Sequence, residues 1–196
     1  MLALDGRLAR RESTRAAVVD ALLALIEAGD LRPTAPRIAE RAGVSLRSVF
    51  QHFADLEALF AAAADRQLER LQGLVRPIAT TGPTRARLDA FVRQRTRLLE
   101  AIAPVRRAAL LMEPFSAAIA ERLRGARALA RTEVERAFAP ELGRCPPATR
   151  RELLAALTAA SDWSTWEALR AHQGLSAAAA RRIVTRMLGA LLTEAT

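Results

Sequence analysis

A chain of 196 residues is long enough for one sizeable core, or for a core plus a small headpiece. Apolar residues make up 51% of it, mostly Ala and Leu with few aromatics; that bias favours helix, and no alternating Val/Ile/Thr run argues for strands. The net charge of +9 invites a nucleic-acid partner, while the single Cys145 excludes an intramolecular disulfide and a multi-cysteine metal site.

All 30 basic residues are Arg, and Lys, Tyr and Asn are absent, a bias that a GC-rich genome produces by itself. The charge is unevenly spread: residues 1–55 carry a net +1 and residues 56–196 a net +8. Three readings of that excess stay open: non-specific attraction to polyanions, preference for an anionic effector, or a solvated face. No apolar stretch approaches the roughly 20 residues of a membrane span, so the expected location is the cytoplasm, with no membrane partner.

In chain order, Met1 to Arg10 reads as a loose arm. Arg10-Arg11 before Ala16–Ile26 imitates a secretory leader, but Asp20 splits that run, Glu27 closes it, and no small-residue cleavage site follows. An amphipathic helix over Ser13–Ala28 explains it better, with Val18, Leu22, Leu25 and Ile26 inward. Thr34 to Phe53, TAPRIAERAGVSLRSVFQHF, then reads as two short helices and a tight turn. Thr34 is an N-cap whose hydroxyl can accept a free backbone N–H, and Pro36 is tolerated in the first turn. Ile38, Ala39 and Ala42 share a face. Gly43 ends the helix where a positive φ is needed. Val44 plugs the corner, and Ser45 caps the next helix, which crosses close over Ala39. Two helices meeting at such a turn form a DNA-reading helix-turn-helix.

Asp55 reads as the cap of a fourth helix, Leu56–Leu74, and Thr80–Thr84 (TTGPT) as a turn. Helices are expected over Arg85–Ala101, Val105–Met112 after Pro104, and Ser116–Phe138, followed by a loop from Pro140 to Pro147. Two long helices, Ala148–His172 and Ser176–Thr193, end the chain, with Gly174 stopping the first and Ser176 capping the second. The expectation is an all-α protein of about nine helices: an N-terminal three-helix helix-turn-helix domain over 1–55 and a C-terminal helical bundle over 56–196. Apolar residues on the last pair, Leu153, Leu154, Leu157, Ala160, Trp163 and Leu169 against Ile183, Val184, Met187, Leu188 and Leu191, exceed what one hairpin covers. Such a surplus is usually buried against a second copy.

Residues 11–60 resemble the N-terminal domain of the TetR family of bacterial transcriptional regulators. The resemblance is carried by Val18, Leu22, Ile26 and Gly29, then Thr34, Ile38, Ala39, Ala42, Gly43, Val44 and Ser45, then Phe50, His52, Phe53, Glu57, Ala58 and Leu59. Beyond that domain the likeness is helical character and the run W-x-x-L-R-x-x-x-G-L-S from Trp166. It implies a homodimeric, ligand-relieved repressor on a palindromic operator in double-stranded DNA. Its dimer would form through the last two helices, with Leu153, Leu157, Ala160, Ile183, Val184, Met187, Leu188 and Leu191 at the interface. Two positions depart from the family: Phe50 stands where Tyr is common, and Leu56 where Lys is common. Both remove backbone contacts to DNA, for which Arg7, Arg10, Arg11 and Arg15 can compensate.

A recognition helix offers its leading residues to the base edges. Arg47 and Gln51, one turn apart, would face outward while Val49 and Phe53 point inward. Arg47 can bind guanine bidentately, Gln51 adenine, and Leu46 a thymine methyl; ordinary solvated residues are the alternative. Thr34, Arg37, Ser45, Ser48 and His52 are candidates for phosphate contact, which positions without specifying. For His52 a packing role competes, and the resemblance favours phosphate.

The family also implies an effector pocket in the bundle. Candidates are Phe91, Leu98, Leu99, Ile102, Leu111, Met112, Phe115, Ile119, Trp163 and Trp166, each of which would serve equally as plain core. Arg95, Arg106 or Arg107 could pair with an anionic ligand or be surface charges. Cys145 beside Arg144 fits a redox sensor or an incidental thiol. No cofactor or metal is expected. Two further classes stay open. An enzyme would have to draw on two distant histidines, without a phosphate loop and with Glu133 and Glu135 on different helix faces. The other is a helical ligand-binding or adaptor protein whose headpiece has lost DNA.

Overall fold

The computed structural model describes residues 2–194, with side chains from Leu8 onward; the side chain of Arg7 lies outside the described residues. Every regular element among them is helical. The chain packs as two units: the chain up to Gln72 together with Ile102–Leu123, and Gly73–Ala101 together with the residues from Arg124.

The first unit contains α1 (Leu2–Glu27), α2 (Ala35–Ala42), α3 (Leu46–His52) and α4 (Leu56–Gln72). It also contains the end of α5 (Thr84–Met112), a 3-10 turn at Glu113–Phe115, and the start of α6 (Ala117–Ala137). Its core joins Val18, Leu22, Leu23 and Ile26 of α1 to Ile38 and Ala39 of α2, Val49, Phe53, and Leu59, Phe60 and Ala63 of α4. Ala108, Ile119 and Leu123 complete it. Arg70 ties α4 to α1 through Asp20 at 2.9 Å and Glu27 at 3.2 Å. Ser116 starts α6, its hydroxyl accepting the Ile119 N–H at 3.1 Å and donating to Glu57 of α4 at 2.5 Å.

The loose arm expected over residues 1–10 is instead helix from Leu2. Apart from Gly6, the stretch before Ser13 is made of helix-compatible residues without proline, so nothing there stops the turn from propagating. The expected break before Pro104 is also absent, because α5 runs through it for 29 residues. Proline leaves the carbonyl four residues back without its donor, and the bonds on either side hold the helix together.

The second unit holds the first part of α5, the remainder of α6, α7 (Ala139–Leu142), α8 (Pro147–Ala160), α9 (Trp163–Glu167) and α10 (Ala177–Glu194). Phe91 and Phe138 meet edge to face at 5.2 Å in its core, with Leu142, Leu157, Trp166 and Leu188 fully buried. Where a loop from Pro140 was expected, α7 turns once and buries Glu141 and Leu142. The single long helix expected from Ala148 to His172 is broken. At the end of α8 the Leu157 carbonyl accepts both the Ser161 hydroxyl at 2.8 Å and the Ser161 N–H at 3.2 Å. Asp162 is extended at φ −80°, ψ 166° before α9 restarts. The chain then widens into a π turn over Ala168–His172. Gly174 takes φ 66°, and the Ser176 hydroxyl accepts the Ala179 N–H at 3.2 Å to start α10.

Candidate nucleic-acid interface

The turn between α2 and α3 is built from backbone geometry. Thr34 occupies the N-cap in an extended conformation, φ −82°, ψ 155°, yet its hydroxyl makes no capping bond; Pro36 in the first turn leaves one fewer N–H to satisfy. At the other end Gly43 is left-handed, φ 68° and ψ 31°. Its N–H donates to Glu40 at 3.1 Å, and the Val44 N–H reaches back to Ala39 at 3.0 Å. This is a glycine-terminated stop, and it frees Ser45 to begin α3. The Ser45 hydroxyl accepts the Ser48 N–H at 3.1 Å. That bond uses a lone pair and leaves its own O–H available to a phosphate oxygen.

From that start α3 sorts its residues by face. Val49 is 1% exposed and Phe53, just past the end, 4%, so the helix is pinned at its middle and its exit. Arg47 and Gln51 are exposed one turn apart. Beside them Leu46 and Phe50 form a second outward pair, 42% and 47% exposed. Sequence reasoning assigned Phe50 only a lost hydroxyl and missed its outward placement; its i,i+4 relation to Leu46 was the available signal. Ser48 and His52 are half-buried at the flank of this face, and Thr34 is exposed.

Neighbouring charges are partly committed. Arg37 pairs with Asp30 at 2.7 Å while keeping 60% of its side chain exposed. The Arg15 guanidinium stacks 5.0 Å from the centre of the Phe53 ring. Arg10 and Arg11 are exposed on α1. Leu56, at the position where the family commonly has Lys, is half-buried and packs on the core of the first unit. Asp55 caps α4 by accepting the Ala58 N–H at 2.8 Å.

The other candidates separate. Phe91, Leu98, Leu99, Trp163 and Trp166 belong to the second unit, and Ile102, Leu111, Met112, Phe115 and Ile119 to the first. Phe91, Leu99, Trp163, Trp166 and Ile119 are core residues, whereas Phe115 is 79% exposed. Of the residues put forward for a dimer, Leu153, Leu157, Ala160, Val184 and Leu188 are buried already within one chain. Ile183 and Leu191 are half-buried, and Met187 is exposed. Arg95 is no surface charge: it lies over Phe91 at 5.1 Å and pairs with Glu133 at 3.3 Å. Burial lowers its pKa, with Glu133 and Asp162 opposing that shift. Arg106 is buried too, and Arg107 half-buried. Glu135 pairs with Arg150 at 3.0 Å. The Cys145 thiol is half-buried, with the Glu141 carbonyl 3.5 Å from its sulfur.

With that geometry in place, comparison with known proteins is informative. A family model described as bacterial regulatory proteins, tetR family, matches residues 18–63. The chain matches no curated protein. Among solved structures it is similar to a transcriptional regulator from Rhodococcus sp. Rha1, with 21% identity, 94% of this chain and 96% of that one covered, and a TM-score of 0.67. It is also similar to a tetR-family transcriptional regulator from Streptomyces coelicolor, with 20% identity, coverage of 94% and 88%, and a TM-score of 0.68. At such identities the likeness to the two structures speaks for the fold. The family match covers the capped turn, the outward face of α3 and the helices that brace it, so residues 18–63 are similar to the N-terminal domain of tetR-family bacterial regulatory proteins.

Proposed function

We propose that this protein is a cytoplasmic, sequence-specific DNA-binding regulator of transcription. It acts as a repressor on a palindromic operator and is relieved by a small molecule. Residues 1–55 read DNA, and 56–196 bind ligand and dimerise. One observation carries the DNA reading: α3 is capped by Ser45, pinned by Val49 and Phe53, and turns Leu46, Arg47, Phe50 and Gln51 outward. A helix so held can enter the major groove without rearrangement. Arg47 then pairs with O6 and N7 of guanine and Gln51 with N6 and N7 of adenine. Ser45, Ser48, His52, Thr34 and the exposed part of Arg37 flank it as phosphate contacts. The homodimer forms through the last two helices. Ile183, Met187 and Leu191 are the members of the expected interface that burial within one chain leaves available. Two-fold symmetry then demands half-sites about 34 Å apart or a multiple of that.

The test is fluorescence anisotropy on operator-containing and scrambled duplexes, the operator having been selected from sheared genomic DNA. Arg47→Ala should cost about 1–3 kcal/mol on the selected site and leave scrambled DNA bound as before. Failure of the intact protein to prefer any sequence would favour the second reading, an adaptor without DNA. Leu56 supports that reading, because it packs into the core where the family commonly carries a cation.

A further inference from the structure

The second unit opens a cleft of about 620 Å³ between the start of α5 and α10, within the roughly 300–1,000 Å³ that holds small organic ligands. Leu88 and Leu192, buried against the core, form an apolar floor with Gly189, and Arg144, Arg182 and Arg186 stand exposed around it. Glu141 also borders the cleft but does not offset these cations. Its carboxylate is already held by Thr84 at 2.6 Å and by the buried Arg87. Asp89 is taken by Arg85 at 3.6 Å. Among the described residues no acidic side chain pairs with Arg144, Arg182 or Arg186.

Two features have no explanation in the folded chain alone. Arg182 and Arg186 are one turn apart on α10, where like charges repel. Gly189 sits inside the same helix, where glycine is a poor helix former. Neither a positive φ nor a close approach requires it, since an added Cβ would meet only Leu88 Cδ2 at an ordinary 3.6 Å. Its missing side chain leaves the floor of the cleft open beside Arg182 and Arg186. Guanidinium matches phosphate and carboxylate bidentately.

We propose that this cleft binds a small amphipathic organic anion, its phosphate or carboxylate held by Arg182, Arg186 and Arg144 and its apolar body lying over Leu88, Gly189 and Leu192. The inference rests on the second unit alone and stands apart from the DNA reading.

Isothermal titration of the full chain at low salt with octyl phosphate, octanoate, inorganic phosphate and octanol tests it. One of the two alkyl anions should bind with unit stoichiometry, at least tenfold tighter than octanol or inorganic phosphate; which one identifies the head group. The double substitution Arg182→Ala/Arg186→Ala should weaken that binding tenfold or more. Gly189→Leu fills the floor without changing charge and should erase the advantage of the alkyl anion over inorganic phosphate. Equal binding of octanol and the alkyl anions, absence of binding by both anions, or indifference to either variant would overturn the proposal.

Discussion

The guanidinium of Arg15 on α1 lies 5.0 Å from the centre of the Phe53 ring at the exit of α3. Phe53 is 4% exposed and belongs to the core that also takes Val18, Leu22 and Val49. The end of α3 is therefore held from below by packing and from the side by a cation. The two contributions differ in size. Phe53→Ala removes a buried ring and should cost about 3–5 kcal/mol of stability. Arg15→Ala removes an exposed cation–π interaction of about 0.5–1 kcal/mol. Urea unfolding followed by circular dichroism measures both; equal losses would mean that packing does not dominate the anchor.

Gly43 and Gly125 should respond to alanine with opposite signs. Neither has an atom within 4 Å of an added Cβ, so space is not the issue at either position. Gly43 has φ 68°, a conformation that costs an L-residue about 1–2 kcal/mol. Gly43→Ala should destabilise by that amount, and Gly43→Asn by less. Gly125 lies inside α6, where alanine is about 0.5–1 kcal/mol better than glycine. Thermal melts of the two variants should move in opposite directions, and a shared direction would refute the conformational argument.

What could be read before the structure was known is what depends on near neighbours. The Gly43 turn, the Ser45 and Asp55 caps and the outward placement of Arg47 and Gln51 follow from spacings of a few residues, and the structure contains them. Decisions that depend on distant partners were not legible. A helix stops at Ser161, whereas Pro104 fails to break one. Nothing in the local sequence ranks those two. Likewise, the apolar stripes of α8 and α10 announce that something covers Leu157 and Leu188 without saying that their own unit does so. Arg95 looked like any helical arginine until Phe91 and Glu133 closed around it.

Removal of residues 1–11 tests the role of the N-terminal cations. α1 would still carry Val18, Leu22 and Ile26 into the core, while Leu8, Arg10 and Arg11 are exposed, so the melting temperature should barely change. If Arg7, Arg10 and Arg11 meet phosphates, affinity should fall alike for every sequence. The slope of log K against log salt should become shallower by about 0.9 for each phosphate no longer neutralised. An unchanged slope would assign the arginines of this segment to solvent.

Acid should weaken the second unit through Glu141. Burial pushes this carboxyl towards its neutral form, but bonds from Arg87 and Thr84 outweigh that effect and hold its pKa below the ordinary 4.5. A carboxyl with a depressed folded pKa contributes stability above its unfolded value. As pH falls, the unfolded chain takes the proton first, and the contribution is lost progressively through 4.5 towards the lower folded value. Glu141→Gln leaves Arg87, 4% exposed, without its counter-charge, which for a buried pair costs about 3–5 kcal/mol near neutral pH. Trp163 and Trp166 both lie in this unit, so their fluorescence reports its unfolding in urea. The gap between wild type and variant should be widest at pH 7 and close as pH drops below 4.5. A constant gap across that range would mean that Glu141 acts by shape and hydrogen bonding, with its charge contributing nothing.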